Sequence, residues 1–235
     1  MLFRNASSLP PRLPFLSGVL KLLAPSSQEA KGSNFSVVAV SYRGFWTSRG
    51  RPSERGIKLD AQAALQWVLG KYDLSDTKIV LWGQSIGAGV ATTALANLLD
   101  TETDGRKRAA ISGLVLETPF VDLWSMLVAL YPQKFLPYRY LYPFLRSTWD
   151  SNGALQQVAA AKPAGLQKIL ILQAGSDEIV PDGQAELLRH VCAEGGLDAE
   201  LKVIEEALHT EIMAKQEGRK TIAEFLKNIS KEKCI

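Results

Sequence analysis

The segment Gly83-Gln84-Ser85-Ile86-Gly87 sets one serine between two glycines at the end of an apolar, β-branched run. A neutral serine hydroxyl is a weak nucleophile. If this motif attacks an acyl carbonyl, it needs a histidine within hydrogen-bond reach as general base and a carboxylate to orient that histidine. The chain contains 2 histidines. His190 lies in AELLRHVCAE, whose periodicity is helical, whereas His209 lies in EEALHTE, in a loop after a strand pattern, and is the favoured base. The favoured acid is Asp177 in ILILQAGSDEIVP, again just beyond a strand. Its neighbour Glu178 is expected to point elsewhere, and Glu117 and Asp122 are runner-up acids. Alone, the five-residue motif fits a glycine-rich turn with an incidental serine equally well. Three placements at three strand ends, in the order Ser85, Asp177, His209, are far more specific.

Side chains so distant in sequence converge only if their elements deliver them to one edge. Lys78 to Trp82 reads as a buried strand, and Gly87 to Leu99 has helical spacing, so the glycine-flanked serine joins them almost without a loop. That geometry demands a strained backbone at Ser85, and it puts the backbone N–H of Ile86 at a helix N-terminus, where it can stabilise an oxyanion. Further strand patterns run over FSVVAVSYRG (Phe35 to Gly44), AISGLVLE (Ala110 to Glu117), KILILQAG (Lys168 to Gly175) and LKVIEEA (Leu201 to Ala207). Helical patterns fall at LPFLSGVLKLL (Leu13 to Leu23), after Pro52-Ser53, near Asp182 to Cys192 and near Glu211 to Ser230. Apolar strands alternating with helical crossovers predict the α/β class: a mostly parallel sheet with helices on both faces, in one domain over residues 1–235. In such a sheet all carboxyl ends share one edge, so Ser85, Asp177 and His209 emerge together.

A net charge of +3 with scattered Lys and Arg argues against a nucleic-acid partner, and Arg106-Lys107-Arg108 reads as a solvated loop. Two cysteines, Cys192 and Cys234, make neither a disulfide framework nor a metal cluster, so no metal site is expected. The apolar run at Leu13 to Leu23 is too short to span a bilayer and lacks a signal peptide's layout, although peripheral membrane contact is left open. Sequons at Asn5, Asn34 and Asn228 matter only in a secretory compartment.

Between the third and fourth of these motif-bearing strands, residues 118–166 form an insert that does not alternate strand and helix. It holds nine of the chain's 19 aromatics, among them Phe120, Trp124 and Tyr131. Helices lying over the strand ends and lining an apolar substrate pocket would account for this density, and so would aromatics that merely pack the insert onto the sheet.

SYRGFWTSRGRPSERGIKLDAQAAL, GQSIGAGVA, LETPF, GSDEIVP and the late His209 together resemble the α/β-hydrolase superfamily, and within it the bud-emergence-type and monoacylglycerol- and lysophospholipid-lipase-like hydrolases. The resemblance covers the chain from about Asn5 onward. It implies hydrolysis of carboxylic esters or thioesters, often acyl lipids, by a Ser-His-Asp acyl-enzyme mechanism, with no cofactor and with an endomembrane association. These motifs carry neither substrate identity nor oligomeric state.

The chain departs from that pattern at its start. The family's second oxyanion donor follows a His-Gly-Asn-Ala motif, and the matching residues here are Phe3-Arg4-Asn5-Ala6, so the backbone N–H of Asn5 is the expected donor, without the His and Gly. Losing one such donor typically costs about 10²- to 10³-fold in rate. The strand that precedes this motif in the family lies between the Phe35–Gly44 strand and the serine strand, and too few residues precede Asn5 to form it. The expectation is an N-terminally shortened hydrolase with that middle strand missing, its neighbours' backbone groups unpaired and any N-terminal membrane anchor lost.

Overall fold

The fold is that of a computed structural model, which describes residues 1–3, 9–24, 33–130 and 147–232. In chain order the elements are β1 (Leu2–Phe3), a 3₁₀ turn at Pro10–Arg12, α1 (Leu13–Leu23), β2 (Ala39–Val40), α2 (Glu54–Lys71), β3 (Ile79–Gln84) and α3 (Ile86–Thr101). They continue with α4 (Gly105–Ala109), β4 (Ile111–Glu117), α5 (Leu123–Leu130), α6 (Ser151–Ala161), β5 (Lys168–Ala174), α7 (Gln184–Glu194), β6 (Ala199–Ile204) and α8 (Gln216–Lys231). The six strands form one sheet in the order β2-β1-β3-β4-β5-β6, and every pairing is parallel. This is the α/β architecture that alternating strand and helix patterns predict.

The expected missing strand is present, as β1. Two residues suffice: Leu2 pairs with Ala39 on one side and Trp82 on the other, and Phe3 with Val40 and Gly83. Leu2 N–H donates to the Val38 carbonyl at 2.8 Å. The Met1 carbonyl accepts from Trp82 N–H at 2.8 Å, and the Met1 amino group donates to the Val80 carbonyl at 2.5 Å. Burial pushes that amino group down to about 5, because a charged amine is disfavoured away from water. A cavity of ≈ 860 Å³ is lined by Met1, Val38, Ile79 and Tyr72 among others. The Phe35–Gly44 pattern yields a strand only at Ala39–Val40, the two residues paired with β1. A strand extends as far as it has a partner for its N–H and C=O groups.

Helices cover both faces. On one, α2, α3, α6 and α7 bury Leu65, Leu95, Leu155 and Leu188 against Leu81, Leu114 and Ile171. On the other, α1 and α8 bury Leu16, Val19, Ile222 and Phe225 against Trp82, Val115 and Leu172. α3 is buried almost all round, as a helix packed between a sheet and two other helices must be. α2 starts at an N-cap, Ser53, whose side chain accepts from Gly56 N–H.

The insert is tied down at both ends. Ser151 N–H donates to the Val121 carbonyl at 2.8 Å, and the Glu54 carboxylate accepts from Thr148 N–H at 2.6 Å. Residues 131–146, Tyr131 among them, lie outside the described residues, as does Asn5. Cys192 is buried in the core, and burial pushes its thiol up to about 12.

Two outcomes check this architecture. Leu2→Ala, at a fully buried side chain in β1, should cost about 2–5 kcal/mol and lower Tm by roughly 5–15 °C, whereas Leu13→Ala on the exposed face of α1 should change stability by no more than about 0.5 kcal/mol. Cys192 should resist a thiol reagent at pH 8 until the protein is denatured, since neither access nor thiolate is available in the native state.

Candidate active site

β3 ends at Gln84 and α3 begins at Ile86, leaving Ser85 alone in the turn. Its backbone is at φ 53°, ψ −121°, a conformation that residues with a side chain rarely adopt. The turn closes because Gly83 has no Cβ: one added there would lie 2.0 Å from the Gly87 carbonyl oxygen. Ser85 N–H donates to the Glu117 carbonyl at 2.8 Å, and the Ser85 carbonyl accepts from Ala88 N–H at 2.8 Å. Ile86 is the first residue of α3, so its N–H belongs to the group of amides at a helix start that have no partner within the helix.

The other two predicted residues come from loops after β5 and β6. Those loops are stitched together: Gly175 N–H donates to the Ile204 carbonyl at 2.9 Å and Ser176 N–H to the Ala207 carbonyl at 3.0 Å. This pairing carries Asp177 to His209, whose Nδ1 lies 3.0 Å from Asp177 Oδ1 and 2.9 Å from Oδ2. Both side chains are buried, at 2% and 4% exposure. Asp177 Oδ1 also accepts from Ile179 N–H at 2.9 Å and Val180 N–H at 2.7 Å, which fixes the carboxylate independently of the ring. A carboxylate so placed accepts from Nδ1–H and leaves Nε2 with a free lone pair.

Ser85 is 8% exposed. Among the described residues no hydrogen bond joins its Oγ to the His209 ring, so the structure brings acid and imidazole into contact and sets the serine at the same sheet edge without closing that last link. His190 stands apart, exposed on α7 and paired with Glu194. Glu117 is committed to an ion pair with Arg12, and Asp122 accepts from Ser125 N–H at the start of α5. The Glu178 carboxylate accepts from the backbone N–H of His209 at 2.9 Å. This anchor for the histidine loop has no sequence signature, because it links residues 31 apart through a main-chain donor.

Of the aromatics expected around a pocket, Phe120 is a core residue at 1% exposure and Trp124 is half-buried on α5. Among the described residues no cluster of three or more His, Cys, Asp or Glu side chains could hold a metal ion, and no helix is long and apolar enough to cross a membrane.

Comparison with known proteins bears on the family and the fold. The model of the alpha/beta hydrolase family matches residues 12–220. Protein bem46 of Schizosaccharomyces pombe is 33% identical over 159 residues, covering 68% of this chain and 47% of that protein. The lysophosphatidylserine lipase ABHD12 of Danio rerio is 33% identical over 151 residues, covering 63% of this chain and 37% of that one. The chain thus spans about half or less of the length of these relatives. Among solved structures, the Pyrococcus furiosus esterase Pf2001 superimposes with a TM-score of 0.65 at 19% identity over 97% of this chain and 79% of its own. EstE1, a carboxylesterase cloned from a metagenomic library, gives 0.66 at 18% identity over 98% and 80%. At such identities the structural likeness concerns the fold.

Gly83→Ala tests the turn. With a backbone oxygen 2.0 Å from the new Cβ, the strand-to-helix crossing must open, and we expect a loss of at least about 3 kcal/mol, read as a fall in Tm of roughly 6–12 °C.

Proposed function

The chain belongs to the alpha/beta hydrolase family, and we propose that it is a serine hydrolase acting on carboxylic esters, acyl lipids foremost, or on thioesters. The observation that carries this reading is the contact of His209 Nδ1 with both oxygens of Asp177, on the sheet edge where Ser85 occupies a strained turn. In the proposed mechanism Nε2 of His209 removes the Ser85 proton, Oγ attacks the acyl carbonyl, and Asp177 holds the imidazolium that results. The tetrahedral oxyanion is received by the backbone N–H of Ile86, with Asn5 as the second proposed donor. His209 then protonates the leaving alcohol or thiol, and water, deprotonated by the same ring, releases the acid. A lipid acyl group is favoured because a relative carries the name lysophosphatidylserine lipase and because the half-buried Trp124 lies in an insert rich in aromatic residues, with Phe120 and Tyr131 proposed as further pocket residues.

A hydrolase-fold binding protein without turnover is the competing reading, supported by the open link between Ser85 and His209. A fluorophosphonate probe separates the two. Ser85-dependent labelling of the folded protein, abolished in Ser85→Ala, is expected, and Asp177→Asn should lower ester turnover by about 10⁴-fold, since the ring would then settle in the wrong tautomer. Wild-type protein that melts cooperatively yet never labels would establish the binding reading instead.

A further inference from the structure

Beneath the serine turn lies a buried charged cluster. Arg12 and Glu117 form an ion pair at 2.5 Å with exposures of 4% and 0%. The guanidinium spans two acceptors: Nη2 donates to Glu117 Oε1, and Nη1 donates to Gln84 Oε1 at 2.6 Å. Gln84 Nε2 closes the ring by donating to the same Glu117 oxygen at 2.9 Å, while Trp82 Nε1 donates to Oε2 at 3.1 Å. Glu117 therefore grips the serine strand three times, through the side chains of residues 82 and 84 and through its carbonyl, which accepts from Ser85 N–H. The two side-chain grips flank Gly83, the residue at which strand and helix cross.

A buried ion pair is a poor way to gain stability, because desolvation offsets most of the attraction and apolar replacements are often neutral or better. A planar guanidinium bridging a carboxylate and an amide is, however, a good way to fix direction. What needs fixing here is a serine in a left-handed backbone state, which persists only where its surroundings over-determine it. We propose that Arg12, Glu117 and Gln84 are positioning residues that hold Ser85 in the attacking geometry, with the segment that carries Arg12 thereby coupled to the nucleophile. This rests on Ser85 being the nucleophile, as proposed above.

The test compares Arg12→Lys, which keeps the charge but not the fork, with the double variant Arg12→Met/Glu117→Gln, which leaves no lone charge buried. Tm, fluorophosphonate labelling rate, kcat and KM for a soluble ester, and amide exchange of peptides spanning residues 84–88 are measured on the full chain. The double variant is expected to melt within a few degrees of wild type, label at least about tenfold more slowly, lose kcat with KM held, and exchange faster at residues 84–88 while β5 peptides are unchanged. Arg12→Lys should show an intermediate labelling rate and exchange. Wild-type labelling and wild-type exchange in either variant, once folded, would overturn the proposal and leave the cluster a packing feature. Should the double variant fail to fold, Arg12→Lys decides by the same two readouts. If wild-type protein shows no Ser85-dependent labelling, the hydrolase reading fails by itself, and the exchange at residues 84–88 still decides whether the cluster holds the turn.

Discussion

Ser85 is held at φ 53°, ψ −121°, a state that costs a residue bearing a side chain on the order of 1–3 kcal/mol. The neighbouring elements are arranged around that cost. β3 reaches the turn through a glycine that lets α3 pass within contact of its backbone, and α3 starts at once, with Ala88 N–H closing on the Ser85 carbonyl. β4 supplies the carbonyl for Ser85 N–H from its last residue. A serine in a regular strand would alternate its side chain toward one face of the sheet. Only the strained turn lifts the hydroxyl out of both faces and toward the edge.

The acid and the imidazole are brought together by a different device. Neither shows backbone strain; the β5 and β6 loops are instead paired by main-chain hydrogen bonds and by the Glu178 carboxylate on the His209 amide. Asp177 is fixed by two main-chain donors of its own loop, so the ring docks against a carboxylate whose direction is already set. A carboxylate with several fixed donors loses little freedom when it accepts one more, and this favours a ring held in one tautomer.

What the sequence makes legible is what depends on local pattern. The Leu13–Leu23 helix, the serine turn and the loop positions of Asp177 and His209 all follow from period, glycine spacing and strand ends, and all stand where that reading puts them. Features that depend on long-range partners were invisible. β1 is a two-residue strand with no periodicity of its own, created by the flanking edges of β2 and β3. β2 is a strand only at the two residues that pair with β1, although ten residues around it have strand composition. Arg12 looks like an ordinary charge ahead of a helix, and nothing in the letters tells that its partner lies 105 residues on.

The position of β1 has a mechanical consequence. It pairs with β3 at Trp82 and Gly83, and the Met1 amino group donates to the Val80 carbonyl, so β3 has neighbours on both sides next to the serine. The strand that carries Ser85 is thus clamped from both sides where the turn begins, so the backbone leading into the strained residue has its main-chain groups committed to neighbours.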